Sequence, residues 1–94
     1  MKNISDVRIY HVKNGGTLLG YASINLDGII VKGFLIRQKK GNIFITMPSK
    51  KEERNGQITW LELFTPPAEE REQIVRAIKE KYEAAIHDEA VLEQ

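Results

Sequence analysis

The sequence predicts an α+β domain: an antiparallel sheet of about five strands followed by one C-terminal amphipathic helix. Three observations carry that prediction. Glycine stands beside Asn or Asp at Asn14-Gly15, Asp27-Gly28, Gly41-Asn42 and Asn55-Gly56, and these glycines are 13 to 15 residues apart. The stretches between them are rich in Ile, Val, Leu, Phe and Tyr. After Thr65-Pro66-Pro67 the pattern changes, and residues 68–94 contain neither Gly nor Pro.

Glycine next to Asn or Asp supplies the positive-φ positions that tight hairpins need. The runs between such turns read as strands near 6–13, 17–26, 29–38, 42–47 and 57–64. Short consecutive links favour an antiparallel meander. Thr65 then reads as a helix N-cap with Pro66 at the first helical position. Glu69, Glu70 and Glu72 fall near the positive end of the helix dipole. Ile74, Ile78, Tyr82 and Ala85 or Ile86 recur every three to four residues, so the helix should run over about 66–90 with one buried stripe.

A two-residue Asp27-Gly28 turn fixes an expected register. Leu26, Ile24, Ala22 and Gly20 would oppose Ile29, Val31, Gly33 and Leu35, giving an apolar face that a helix can approach closely. The other face would pair Tyr21 with Phe34 and Leu19 with Ile36, so it too would be apolar at one end. One helix covers one face. The Leu19, Tyr21, Phe34 and Ile36 end is therefore the expected homodimer interface, unless the sheet curls and its outer residues cover one another.

Ninety-four residues make a single domain, residues 1–94, with a thin stability margin that oligomerisation would widen. Without cysteine there is no disulfide and no thiolate chemistry. A 41% hydrophobic and 29% charged composition fits a folded globular chain. No apolar run approaches the ~18 residues of a membrane span, and Met1 to Asp6 holds no apolar signal core, so the expectation is a cytoplasmic protein without membrane contact. The net charge of +1 conceals a division. Residues 1–60 hold ten Lys/Arg against four Asp/Glu, whereas residues 61–94 hold four against nine. A basic surface for an anionic partner follows, or else two halves that neutralise each other.

Catalytic signals are weak. His11 and His87 share no ligand spacing, and the serines lack a nucleophile-elbow context. No zinc spacing is present, and Asn14-Gly15-Gly16 does not open a helix as a phosphate-cradling loop would. No enzyme activity, cofactor, metal or small-molecule substrate is expected. The basic residues are more informative. Residues 48–56 read as a polar loop carrying Lys50, Lys51 and Arg54, and Lys39-Lys40 fall in the preceding turn. With the 57–64 strand beside the 42–47 strand, these clusters would lie about 20 Å apart at opposite strand ends. Tyr10, Phe44 and Trp60 are the aromatics able to stack on bases, but each reads first as a core residue.

Asp6-Val7-Arg8-Ile9, residues 20–27 (Gly-Tyr-Ala-Ser-Ile-Asn-Leu-Asp) and Ile43-Phe44-Ile45-Thr46-Met47-Pro48-Ser49-Lys50-Lys51 resemble the SpoVG (stage V sporulation protein G, septation protein) family. Arg71-Glu72-Gln73-Ile74, Ala77-Ile78 and Tyr82 resemble its closing helix. The resemblance implies a small cytosolic bacterial regulator that dimerises through its sheet. It implies binding to DNA, and in some members RNA, with effects on gene expression, septation or sporulation. The family's basic residues after Met-Pro-Ser correspond to Lys50 and Lys51, and those of its helix to Arg71, Arg76 and Lys79. Glu52-Glu53 and residues 65–70 (Thr-Pro-Pro-Ala-Glu-Glu) depart from the usual pattern. A second reading is a dimeric protein-interaction module that acts through an apolar sheet face and an acidic helix, without nucleic acid.

Overall fold

The computed structural model describes residues 3–92, with side chains as far as Ile86. Six strands precede one helix: β1 (Ile4–His11), β2 (Leu18–Leu26), β3 (Ile29–Lys39), β4 (Asn42–Thr46), β5 (Ser49–Arg54), β6 (Gln57–Glu62) and α1 (Ala68–Leu92). Strands β1 to β4 form an antiparallel meander in sequence order, and β5 and β6 form a separate two-stranded sheet. The fold is α+β with a C-terminal helix, as the sequence predicts, but with one more strand.

The additional strand is β5, the expected polar loop. Its residues pair with β6 from Ser49↔Glu62 to Arg54↔Gln57 around an Asn55-Gly56 turn. Both turn residues have positive φ, 52° and 77°, as a two-residue hairpin turn requires. Backbone ladder bonds do not depend on apolar side chains, so Ser-Lys-Lys-Glu-Glu-Arg becomes a strand although no hydrophobic alternation announces it. Strand β6 consequently pairs with β5, and not with β4 as the sequence reading expected.

Register is the second correction. The β2–β3 pairs Leu26↔Ile29 and Ile24↔Val31 form as expected, down to Ser23↔Lys32. The ladder then slips, and Ala22 opposes Phe34 while Gly20 opposes Ile36. Gly33 is the extra residue of this bulge, with φ 99°, a conformation open to glycine. Because side chains alternate along a strand, one inserted residue moves all that follow to the other face. Phe34 and Ile36 therefore lie beneath the helix and are fully buried.

The core joins these two residues to Ala22, Ile24, Leu26, Met47, Ile74, Ile78 and Tyr82. Helix α1 presents the expected stripe, and its backbone runs closest to the outer strands β1 and β4. Phe64 meets Phe34 edge to face at 6.0 Å, and Tyr82 lies 5.6 Å from the His11 ring. The helix starts later than expected. Arg71 N–H donates to the Pro67 carbonyl at 2.8 Å, so Pro67 caps the first turn, with Pro66 buried and Thr65 outside the helix. The His87 side chain lies outside the described residues.

Candidate nucleic-acid interface

Helix α1 covers one face of the four-stranded sheet and leaves the other open. Residues directly opposite in an antiparallel ladder share a face. The pairs Tyr10↔Tyr21, Tyr21↔Leu35 and Leu35↔Thr46 therefore form one row across all four strands of the outer face. Beside it run Arg8, Ser23 and Lys32 on one side and Arg37 with Phe44 on the other. Tyr10 is 53% exposed, Tyr21 43% and Phe44 42%. Tyr10, Phe44 and Trp60, read from sequence as core residues, are surface residues.

The outer face divides into two chemistries. Over β1–β3, Asp6, Arg8, Tyr10, Ser23, Asn25, Ile30 and Lys32 line a cleft of about 150 Å³. A bulge between Ser5 and Arg8, with Asp6 at φ 47°, sets the Arg8 position opposite Ser23. Arg8 Nε donates to the Asp6 carboxylate at 3.2 and 3.4 Å. The Asp6 carboxylate, with Tyr10, holds the guanidinium pKa above its ordinary value. Over β3–β4 the face is mainly apolar, with Arg37 its one cation in the cleft lining. Leu35, Arg37, Phe44, Thr46, Ser49 and Trp60 line a cleft of about 350 Å³.

Trp60 reaches that cleft from the β5–β6 hairpin. Among the described residues, no other element packs extensively along this hairpin. Its base is tied by the Leu63 N–H to the Pro48 carbonyl at 2.7 Å and by Arg71 to Glu62 at 2.8 Å. The Arg71 guanidinium holds the Glu62 carboxyl below the usual carboxylate range. Ile58, Trp60 and Leu63 are 57, 64 and 63% exposed, a large apolar load for two strands.

The proposed phosphate contacts do not gather into one cluster. Lys50 and Arg54 share one side of the hairpin, while Lys51 lies on the other, opposite Trp60. Lys39 and Lys40 sit at the β3–β4 turn, where Lys40 itself takes positive φ, 52°, ahead of Gly41. The turn is thus Lys40-Gly41, not Gly41-Asn42. Arg71 is engaged by Glu62. Arg76 is 3.5 Å from Glu72, and both border a groove with Lys79, Glu80 and Glu83. The helix bases stand among acids. Of the four expected interface residues, only Tyr21 is exposed on the outer face; Leu19 is half-buried against the core, and Phe34 and Ile36 are inside it.

Arg8, Lys32 and Arg37 stand singly in the sequence, so no basic cluster marks them as contacts. Their signal was the two-residue period: Arg8 with Tyr10, and Tyr21 with Ser23 opposite Lys32, fall on one face. Among the described residues no group of three or more His, Asp or Glu side chains could hold a metal ion. No described helix is long and apolar enough to cross a membrane.

The SpoVG family model matches residues 1–84. A protein of Archaeoglobus fulgidus is 32% identical over 85 residues, which span 88% of this chain and 96% of the relative. One of Clostridium beijerinckii is 33% identical over 94% of this chain and 96% of its own length. One of Caldicellulosiruptor saccharolyticus is 31% identical over 88% and 93%. All three carry the description "Putative septation protein SpoVG".

Proposed function

The chain belongs to the SpoVG family, and from that premise we propose that it is a non-enzymatic, homodimeric regulator that binds nucleic acid, DNA or RNA, and acts in septation, sporulation or gene expression. The names of its relatives support the process. The observation that carries the binding reading is the outer sheet face, left open by α1 and bearing exposed aromatic and cationic side chains together. Exposed bases at the β3–β4 turn and on the hairpin, Lys39, Lys40, Lys50, Lys51 and Arg54, add phosphate-seeking charge at its margins.

The apolar half of that face supports the dimer. A lone two-stranded hairpin is marginal in water, and this one exposes Ile58, Trp60, Leu61 and Leu63. A second copy seated across Phe44 and Trp60 would bury the apolar rim of the β3–β4 cleft on each copy by twofold closure. The acidic outer side of α1, with Glu69, Glu72, Glu80 and Glu83 exposed, favours the second reading, a protein-interaction module. Selection from random DNA and RNA pools at fixed low salt tests the proposal. It predicts enrichment of bound sequences above background. Absence of any bound fraction would favour the interaction module.

A further inference from the structure

We propose that the β1–β3 half of the outer face is a platform for single-stranded nucleic acid, with Tyr10 and Tyr21 receiving base faces and Arg8 and Lys32 the phosphates. This rests on the nucleic-acid reading and says where, and in what form, the ligand is held.

Three features of the face point to a single strand. Tyr10 and Tyr21 are direct cross-strand partners, both about half exposed, so their rings are available to planar groups. Base faces are accessible only where bases are unstacked, as in single strands. The adjoining cleft of about 150 Å³ has room for one unstacked base, not for a stacked base pair. Asn25, half-buried in the same cleft, offers its side-chain amide N–H groups to base edges while its Oδ1 accepts from the Gly28 N–H at 2.7 Å.

Charge decides the occupant. The cleft holds Arg8 and Lys32 against one acid, Asp6, which takes the Arg8 Nε edge and fixes the guanidinium beside Tyr10. An isologous contact between two copies centred here would place two net-cationic clefts against each other, which costs free energy. An anionic chain meets no such penalty. The apolar half, around Phe44 and Trp60, has the chemistry a second copy needs.

The test measures anisotropy of a labelled 12-nucleotide RNA or DNA, single-stranded and as a duplex, on the full chain and on variants. All the altered side chains are exposed, so folding should survive, and circular dichroism melts check it. The proposal predicts tighter binding to the single strand than to the duplex. Tyr10→Ala should weaken it by roughly 5- to 150-fold, the loss of one stacked base, whereas Tyr10→Phe keeps the ring and the affinity. Arg8→Gln and Lys32→Gln should each lower the salt slope of log affinity by about 0.7. Ultraviolet crosslinks should map to Tyr10 or Tyr21. If the unmodified chain binds but Tyr10→Ala, Arg8→Gln and Lys32→Gln bind equally well, or duplex is preferred, the platform is overturned while the proposed function stands. If the unmodified chain binds neither form at low salt, both fail.

Discussion

Gly33 determines which side chains the protein buries and which it shows. The bulge it forms turns Phe34 and Ile36 toward α1 and leaves Tyr21, Leu35 and Arg37 outward. A Cβ at this position would meet Pro48 only at ordinary contact distance, 3.5 Å, so substitution is opposed by backbone conformation and not by crowding. Gly33→Ala should destabilise by about 1–2 kcal/mol in urea unfolding. Lys40 is the converse case, a side chain held at φ 52° ahead of Gly41. Lys40→Asn should stabilise by about 0.5–1 kcal/mol, because Asn tolerates that conformation better. This change also removes a candidate phosphate contact, so stability should rise as salt-dependent binding weakens. Glu62 gives a pH dependence. Arg71 lowers its folded-state pKa, so the tether contributes in full above the ordinary carboxylate range and is lost as pH falls through the depressed value. Amide exchange in the hairpin, relative to the core strands, should quicken over that acid range.

The elements differ in how clearly the sequence announced them, for physical reasons. Helix α1 was legible because a core-facing helix must repeat its apolar residues every three to four positions, and Ile74, Ile78 and Tyr82 do so and are buried. Strands β1 to β4 were legible because their turns need positive φ and Asn, Asp or Gly marks such positions. Strand β5 was hidden because its only signal is the Asn55-Gly56 turn; its side chains are charged and both hairpin faces meet solvent. The candidate site was the least legible part. A bulge changes faces without changing composition, so the alternation that assigned Phe34 to the surface was sound up to Gly33 and inverted beyond it. Ile78→Ala should cost about 2–5 kcal/mol, since the side chain is fully buried. On β5, Lys50→Ala with Arg54→Ala removes one side of the hairpin and Lys51→Ala the other. If only one side meets phosphate, one of these variants lowers the duplex salt slope, by about 0.9 per lost contact, and the other leaves it unchanged.

At the scale of the molecule, the helix covers one sheet face and leaves the second open. A small domain has little core to spare, and this one leaves Phe44, Trp60, Ile58 and Leu63 in water as a single protomer. In the proposed assembly, closure by a second copy over the apolar half would cover Phe44, Trp60 and Ile58 and would leave the cationic half for an anionic strand. Trp60 is the only tryptophan and stands 64% exposed in the protomer, which makes it a direct reporter of the closure. Its emission maximum, followed on dilution from high micromolar to nanomolar protein alongside sedimentation, tests the proposed homodimer. A dimer closed over this cleft should show shielded, blue-shifted emission that moves to the red as it dissociates. A monomer at high micromolar concentration, with solvent-exposed emission throughout, would contradict it.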